Sequence, residues 1–510
     1  MAGARSRHFR RSKRYTRGAP ARYDVPMSAT DIVAALRAVL PADCVLSHEE
    51  ERRPFECDGL PAFRALPAVV VLPRSAAEVR STLVTCSRLK VPLVARGSGT
   101  GLSGGATPHP QGVLLSLARM NRVLEIDPHN RLARLEPGVP NLKVSAAAAV
   151  HGLYYAPDPS SQVACSIGGN VAENSGGVHC LKYGLTVHNV LGVRGYTVDG
   201  SALALGGGAA DSPGLDLLAL TIGSEGLLMI VTEVIVKLIP RPPCAQLVMA
   251  SFADVHRAAD AVAAIIAAGI IPAGMEMMDR KATEAVEPFV HAGYDLTAAA
   301  ILLVEADGTA AEVADQVQEI EQLLRSSGAS ALRVSGSEAE RLLLWSGRKN
   351  AFPAAGRLSP DYYCMDGTIP RKHVGRVLEA IGRMEQSYRL RCMNVFHAGD
   401  GNLHPVILFD ANEAGSWQRA EQFGAAILEL CVELGGTITG EHGVGVEKLN
   451  SMCVQFSAAE RAAFAAVKHA FDEAGLLNPG KLIPTLARCA EYGRMHVHGG
   501  ALAHPDLPRF

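Results

Sequence analysis

Apolar positions in the first half of the chain come in short blocks broken by glycine and proline. A helix is expected from Ser28 to Val39, where Ile32, Val33, Leu36 and Val39 share one face and Ser28 or Thr30 can cap it. The next pattern reads as a strand at Val69–Leu72, a helix at Ala76–Leu89 and a strand at Val91–Ala95. Short strands continue through VLLSL, VLEID and RLARLEPG to TEVIVKLIPRPP, where Pro240, Pro242 and Pro243 mark a boundary. From about Gln246 the spacing lengthens. Strands at LVMASF, AAAILLVEAD, ALRVSG, NVFHAG and PVILFD alternate with amphipathic helices at Ala253–Ala268, Ala310–Ser326, Lys372–Ser387 and Glu413–Leu434. That pattern predicts an antiparallel sheet backed by helices. A last helix, Ala458–Ala474, stops at Gly475.

The fold class expected is α+β in two main units, residues 28–243 and 244–446. They are followed by a helical segment at 447–485, with a basic tail at 1–27 and a mobile tail at 486–510. At 510 residues the chain is too long for one core. A formal net charge of -2 and a pI near 6.8 give no global field for nucleic acid. The eleven cysteines contain no C-x-x-C pair, which argues against a zinc ribbon or an iron–sulfur cluster and for free thiols in a reducing compartment. The arginines from Arg5 to Arg22 precede the first acid, Asp24. They read as a disordered tail, or as an over-long start with translation from Met27; an organellar presequence is the alternative. No apolar run reaches membrane-spanning length: AVAAIIAAGII, ended by Pro272, is about half the length required.

Two patterns carry chemistry. The strand ending at Ala95 runs into Arg96-Gly-Ser-Gly-Thr-Gly-Leu-Ser-Gly-Gly105, in which Gly99, Gly101 and Gly104 satisfy G-x-G-x-x-G. The dinucleotide fingerprint of that form needs a helix to begin inside it, and Pro108 and Pro110 forbid one. What remains is a nest of main-chain N–H groups suited to a pyrophosphate. Pro157, Asp158 and Ser161, then Gly168, Gly169 and Asn170, then Asn174, Gly176 and Gly177 again suggest close backbone approach to a flat or phosphorylated ligand. A third glycine segment, Thr221–Gly226, opens the strand Leu227–Leu238.

The second pattern lies near positions 400 and 440. His397 and His404 flank a Gly-Asp-Gly turn, so a hairpin-like bend can bring both imidazoles to one side. With Glu441 they make a His2Glu set for a catalytic divalent cation; zinc is the first expectation and manganese the second. A neutral His442, next to Glu441, can then accept a proton from a substrate hydroxyl made acidic by the cation.

The three glycine segments in this order, with CDGLPAFRALPAVVVLP upstream, resemble the FAD domain of the vanillyl-alcohol-oxidase/PCMH superfamily. Residues 28 to 485 resemble its branch of glycolate oxidase FAD-linked subunits, related to D-lactate and D-2-hydroxyglutarate dehydrogenases. The resemblance implies a PCMH-type FAD domain followed by an α+β substrate (cap) domain. Residues Arg96, Gly97, Ser98, Gly99, Thr100, Gly101, Leu102 and Ser103 and the 157–177 segment would wrap FAD, with Glu225, Gly226, Ile230 and Asn478 also in contact. The first loop lacks histidine, so the flavin is expected to be held non-covalently. His397, His404 and Glu441 match the family's metal ligands and His442 its base. Arg348 could equally serve a helix-end ion pair, and the resemblance favours it as the clamp on the substrate carboxylate. YYCMDGTIP lacks a lysine carried by relatives that act on larger acids, which favours glycolate or D-lactate.

The implied reaction is oxidation of a small 2-hydroxy acid to the 2-oxo acid, with hydride passing to flavin N5. The chain would act as the flavin subunit of a glycolate oxidase complex. An iron–sulfur subunit and a second flavin-loop subunit are the expected partners, with a location in the cytoplasm or at the inner membrane face through those partners. The alternative is a stand-alone D-lactate or D-2-hydroxyglutarate dehydrogenase.

Overall fold

The computed structural model describes residues 27–209 and 214–484; the two expected tails lie outside the described residues, apart from Met27. Helix α1 (Ala29–Arg37) is capped by Ser28 in a reciprocal box with Asp31 and buries Ile32 and Leu36. It packs near a small sheet of β1 (Val45–Leu46), β2 (Val69–Val71), β3 (Leu93–Arg96) and β4 (Val113–Ser116), in the order β1-β2-β4-β3. The three strands β2, β4 and β3 are parallel and fully apolar at β2, as expected when helix α2 (Ala76–Leu89) crosses between them.

A second sheet orders β5 (Val123–Asp127), β6 (Leu132–Leu135), β7 (Val190–Tyr196), β8 (Ala202–Gly206) and β9 (Ile230–Lys237) as β5-β6-β9-β7-β8. All its pairings are antiparallel. The sequence pattern does not single out β7 and β8. It also misses helix α3 (Ile167–Glu173), which holds the Gly168–Gly169 pair and is capped by the Ser166 hydroxyl.

The second half is built on one antiparallel sheet: β10 (Cys244–Phe252), β11 (Gly274–Asp279), β12 (Ala300–Gly308), β13 (Ala331–Val334), β14 (Asp361–Cys364), β15 (Arg391–His397) and β16 (Asn402–Phe409). Their order is β13-β10-β12-β11-β15-β16-β14. The four expected helices cover one face: α4 (Val255–Ala267), α6 (Ala310–Ser326), α9 (Val374–Tyr388) and α10 (Ser416–Glu433). The other face carries a second layer that the sequence reading lacks, of α5 (Arg280–Val290), α7 (Glu338–Lys349) and α8 (Ala351–Leu358). Side chains alternate across a strand. Met393, Val395, Met278, Val406 and Leu408 face this second layer, so Glu276, His397 and His404 share their side.

Helix α11 (Ala458–Phe471) precedes a return to the first domain. There Asn478 N–H donates to the Leu93 carbonyl, and Lys481 Nζ donates to the carbonyls of Gly105 and Thr107. Among the described residues nine cysteines are free thiols as expected, but Cys453 is disulfide-bonded.

Candidate active site

The β15–β16 hairpin brings the two histidines together. Val395 pairs with His404 and His397 with Asn402, so the imidazoles sit diagonally on one face with ring centroids 5.0 Å apart. Gly401 allows the turn: its φ is +85°, and a Cβ there would lie 2.1 Å from the Ile369 carbonyl oxygen. Glu441 reaches in from a loop, with Oε1 at 3.2 Å from His397 Nε2 and 2.9 Å from His404 Nε2. One candidate ligand atom from each residue falls within 4.8 Å of the others. Two imidazole nitrogens and a carboxylate so gathered fit a divalent cation of the zinc or manganese kind.

Electrostatics agree with that fit. Burial raises the Glu441 carboxyl, yet hydrogen bonds from His397 and His404 outweigh it and hold Glu441 well below its ordinary value. Burial disfavours a charged His397, but Glu276 and Glu441 together hold it well above the usual range. Burial lowers His404. An ionised Glu441 carboxylate faced by the Nε2 atoms of His397 and His404 is suited to a cation between the three.

Asp366 shapes the loop that carries Glu441. Its carboxylate accepts the backbone N–H groups of Gly440, Glu441 and His442 at 3.0, 2.8 and 2.7 Å, and Lys448 Nζ at 2.5 Å. His442 stacks its ring edge toward His404 at 5.0 Å, and its Nδ1 lies 3.8 Å from Asp366 Oδ1. Burial lowers His442 to about 4, so the imidazole is neutral at neutral pH. Glu225, from the other domain, accepts Val444 N–H and Gly445 N–H at 2.7 and 2.8 Å and so fixes the far end of the same loop.

Arg348, in the last turn of α7, is 1% exposed and donates from Nε to Glu276 Oε2 at 2.5 Å. Glu276 Oε1 is 2.5 Å from His397 Nδ1. The ion pair open to Arg348 from sequence is therefore present, and Arg348 also lines the cavity described next.

The cavity begins at Arg96–Leu102 and runs past Gly168, Gly169, Asn170, Glu225, Gly226 and Ile230 to Arg348, His404, Glu441 and His442; Ser161 also lines it. At Gly101 a Cβ would meet nothing within 4 Å, whereas at Gly97 it would strike the Ser166 hydroxyl at 2.3 Å. The loop is thus open on one side and close-packed on the other, which fits a cofactor cradled by main chain. Other expected contacts do not line the cavity. Ser103 is buried and its carbonyl accepts Val446 N–H and Glu447 N–H. Pro157 accepts from the Asn141 amide, and Asp158 pairs with His179. Asn174 ends α3 in a left-handed conformation, Gly176 packs beside Glu441, and Gly177 packs against Asp158. Asn478 holds the carbonyls of Gly105 and Glu225 at 3.1 and 2.6 Å, and so supports the loop from behind.

Asp366 and Glu276 belong to the candidate site and are passed over by the sequence reading. Asp366 stands inside the quoted stretch YYCMDGTIP, which was the available signal; Glu276 lies in GMEMMD, where one acid among apolar residues gives none.

Two family models match the chain: "FAD binding domain" over residues 67–206 and "FAD linked oxidases, C-terminal domain" over residues 241–482. The glycolate oxidase subunit GlcD of Escherichia coli (strain K12) is 59% identical over 481 residues, spanning 94% of this chain and 96% of that protein. GlcD of Bacillus subtilis (strain 168) is 39% identical over 435 residues, spanning 85% and 93%. Among solved structures, p-cresol methylhydroxylase with substrate bound superposes with a TM-score of 0.74, covering 90% of this chain and 97% of that chain. At 17% identity that likeness shows the shared fold, a PCMH-type FAD-binding domain joined to an α+β cap. The chain belongs to the FAD-linked oxidase family, in the branch that contains the glycolate oxidase subunit GlcD.

Proposed function

We propose that this chain is the flavin-bearing subunit of a glycolate oxidase, an FAD-dependent oxidoreductase that converts glycolate, or D-lactate, to the 2-oxo acid. The observation that carries the reading is the continuity of one cavity from the glycine loop at 97–102 to His404, Glu441, His442 and Arg348. FAD, held there without a covalent link, would supply the two-electron acceptor, and a divalent cation, zinc first or manganese, would acidify the substrate hydroxyl.

The chain's own residues supply the rest. Main-chain N–H groups of the Gly97–Leu102 loop receive the pyrophosphate, and Gly168, Gly169, Asn170 and Ile230 border the remaining cofactor space. His397, His404 and Glu441 hold the cation. The guanidinium of Arg348 takes the substrate carboxylate in a planar two-point contact. Asp366 near His442 Nδ1 favours the tautomer with hydrogen on that atom, which leaves Nε2 to accept the hydroxyl proton. Phe352, with its ring 6.4 Å from His404 and 6.0 Å from Tyr362, lines the same cavity, and this apolar wall suits a short acid.

In this proposal FAD binding falls to residues 28–243, substrate and cation to 244–446, and a return to the flavin to 447–485. Electrons leaving the flavin need a carrier. Among the described residues the only cluster suited to a metal is the His2Glu set, so an iron–sulfur subunit, with a second flavin-loop subunit, is proposed to complete the enzyme. No helix among the described residues is long and apolar enough to cross a membrane, and any contact with the inner membrane face would come through those partners.

Turnover of glycolate, D-lactate and D-2-hydroxyglutarate by the purified chain, with an artificial acceptor and then with candidate partner subunits, tests the reading. Preference for glycolate, with physiological electron transfer only when partners are present, is expected. Preference for a larger acid, with full transfer by the isolated chain, would replace it with a stand-alone dehydrogenase.

A further inference from the structure

Glu276 is 0% exposed at the centre of a seven-stranded sheet, where an ionised carboxylate is costly unless both oxygens are engaged. Both are. Oε1 meets His397 Nδ1 and Oε2 meets Arg348 Nε, each at 2.5 Å. The strand register sets this arrangement, because Glu276 on β11 is the direct cross-strand partner of His397 on β15 and both point toward α7. We propose that Glu276 is a positioning residue that ties the cation site to the carboxylate clamp through a single buried side chain.

Each half of the contact has a chemical consequence. A carboxylate on Nδ1 fixes His397 as the tautomer with hydrogen on Nδ1, so the Nε2 lone pair is presented toward Glu441, 3.2 Å away, and its basicity as a ligand rises. On the other side, holding Nε of a planar guanidinium fixes the plane of the whole group and leaves the terminal nitrogens for an anion in the cavity that Arg348 lines. The substrate must bridge these two sites, its hydroxyl at the cation and its carboxylate at the arginine. Glu276 therefore sets the separation and relative angle of the two groups that the substrate spans. A structural ion pair alone would not require the arginine's partner to be the same carboxylate that orients a cation ligand.

The inference rests on the proposed reading of His397, His404 and Glu441 as cation ligands. The test uses the full chain with FAD bound, stripped with a chelator and titrated with zinc and then manganese. Glu276→Gln keeps the side-chain volume, but its amide cannot accept from both neighbours. Glu276→Gln/Arg348→Met removes the contact without leaving an unpaired buried guanidinium, and Arg348→Met keeps the Glu276–His397 contact. Cation affinity is expected to fall by about tenfold or more in both variants that lack Glu276, and to be unchanged in Arg348→Met. With the cation saturating, Glu276→Gln should also raise KM for glycolate more than it lowers kcat. Wild-type cation affinity in the two Glu276 variants overturns the proposal. Loss of bound flavin in both of them also overturns it, because Glu276 would then serve folding. A wild-type protein that takes up neither cation defeats the underlying cation reading instead, and that result is separate from either of the others.

Discussion

At the scale of single residues, His442 and His404 are adjacent rings with different expected losses. His442→Ala removes the proposed proton acceptor and leaves every proposed ligand of flavin and cation in place, although its ring packs against His404. Flavin and cation content should be preserved, while the rate of anaerobic flavin reduction by glycolate falls about 10²–10⁴-fold; rapid reduction retained in stopped-flow would exclude His442 as the base. His404→Ala removes a proposed cation ligand, so cation content by elemental analysis and activity should disappear together. Full activity in that variant without cation would remove the acidification step. These residues were legible in the chain because each lies within a few positions of glycines that bracket a polar turn. Glu276 was not, since its partner His397 lies 121 positions away and meets it only through strand register. Asp366 stood in the stretch YYCMDGTIP, but its part was hidden because loop closure alone brings it to Glu441 N–H, 75 positions away.

Among the elements, the loop around Glu441 and His442 leans on one buried side chain, Asp366. Asp366 and Lys448 are 0% and 1% exposed, and Asp366 also accepts three successive backbone N–H groups. Burial pushes the Asp366 carboxyl up, but Lys448 and His442 overcome it and lower it to about 2, so it is ionised throughout the working range. Asp366→Asn removes one of the two carboxylates beside Lys448, with Glu447 Oε2 remaining at 3.2 Å, and takes the charged acceptor from three buried backbone N–H groups; it is expected to cost about 1–3 kcal/mol in denaturant unfolding. An unchanged unfolding midpoint would show that Asp366 is not what holds the loop. Element-level reading of the sequence succeeded where periodicity was long, as in Ala76–Leu89 and Ala310–Ser326, whose observed bounds are the same. It failed at α3, where two adjacent glycines cost about 1 kcal/mol each in helix propensity and hid a helix that Ser166 caps. It failed also for β11 and the α5–α7–α8 layer. Without that layer the sheet has an uncovered face, and the side of the sheet that carries the candidate site could not be assigned.

In the whole molecule the two domains meet through charges that no local pattern displays. His179 lies between Asp158 of its own domain and Glu305 of the cap, at 2.8 and 3.2 Å, while Lys182 pairs with Asp307. Burial opposes a charged His179, but Asp158 and Glu305 more than offset it and raise the imidazole to about 10. The folded form thus holds the proton more tightly than the unfolded form, whose value is near 6.5. The stabilisation is fully present below about pH 6.5 and is lost as pH rises through about 10. His179→Gln should therefore lower the melting temperature at pH 6 and differ less from wild type as pH approaches 10; a difference constant with pH would contradict the charged bridge. Division into two α+β units was readable from the change in strand spacing and the proline boundary, whereas the closure of both units over one cavity depends on Glu225, Asn478 and His179 acting across hundreds of positions. The central claim is that a flavin and a divalent cation act in that one cavity on a 2-hydroxy acid. Its most direct test is anaerobic titration of the FAD-loaded chain with glycolate, before chelation, after chelation and after zinc or manganese is returned. Bleaching of the oxidised flavin in the replete protein, slowed by orders of magnitude on chelation and restored by the cation, is the result expected. Full-rate bleaching in protein shown to hold no cation, or no bleaching in replete protein, would contradict the account.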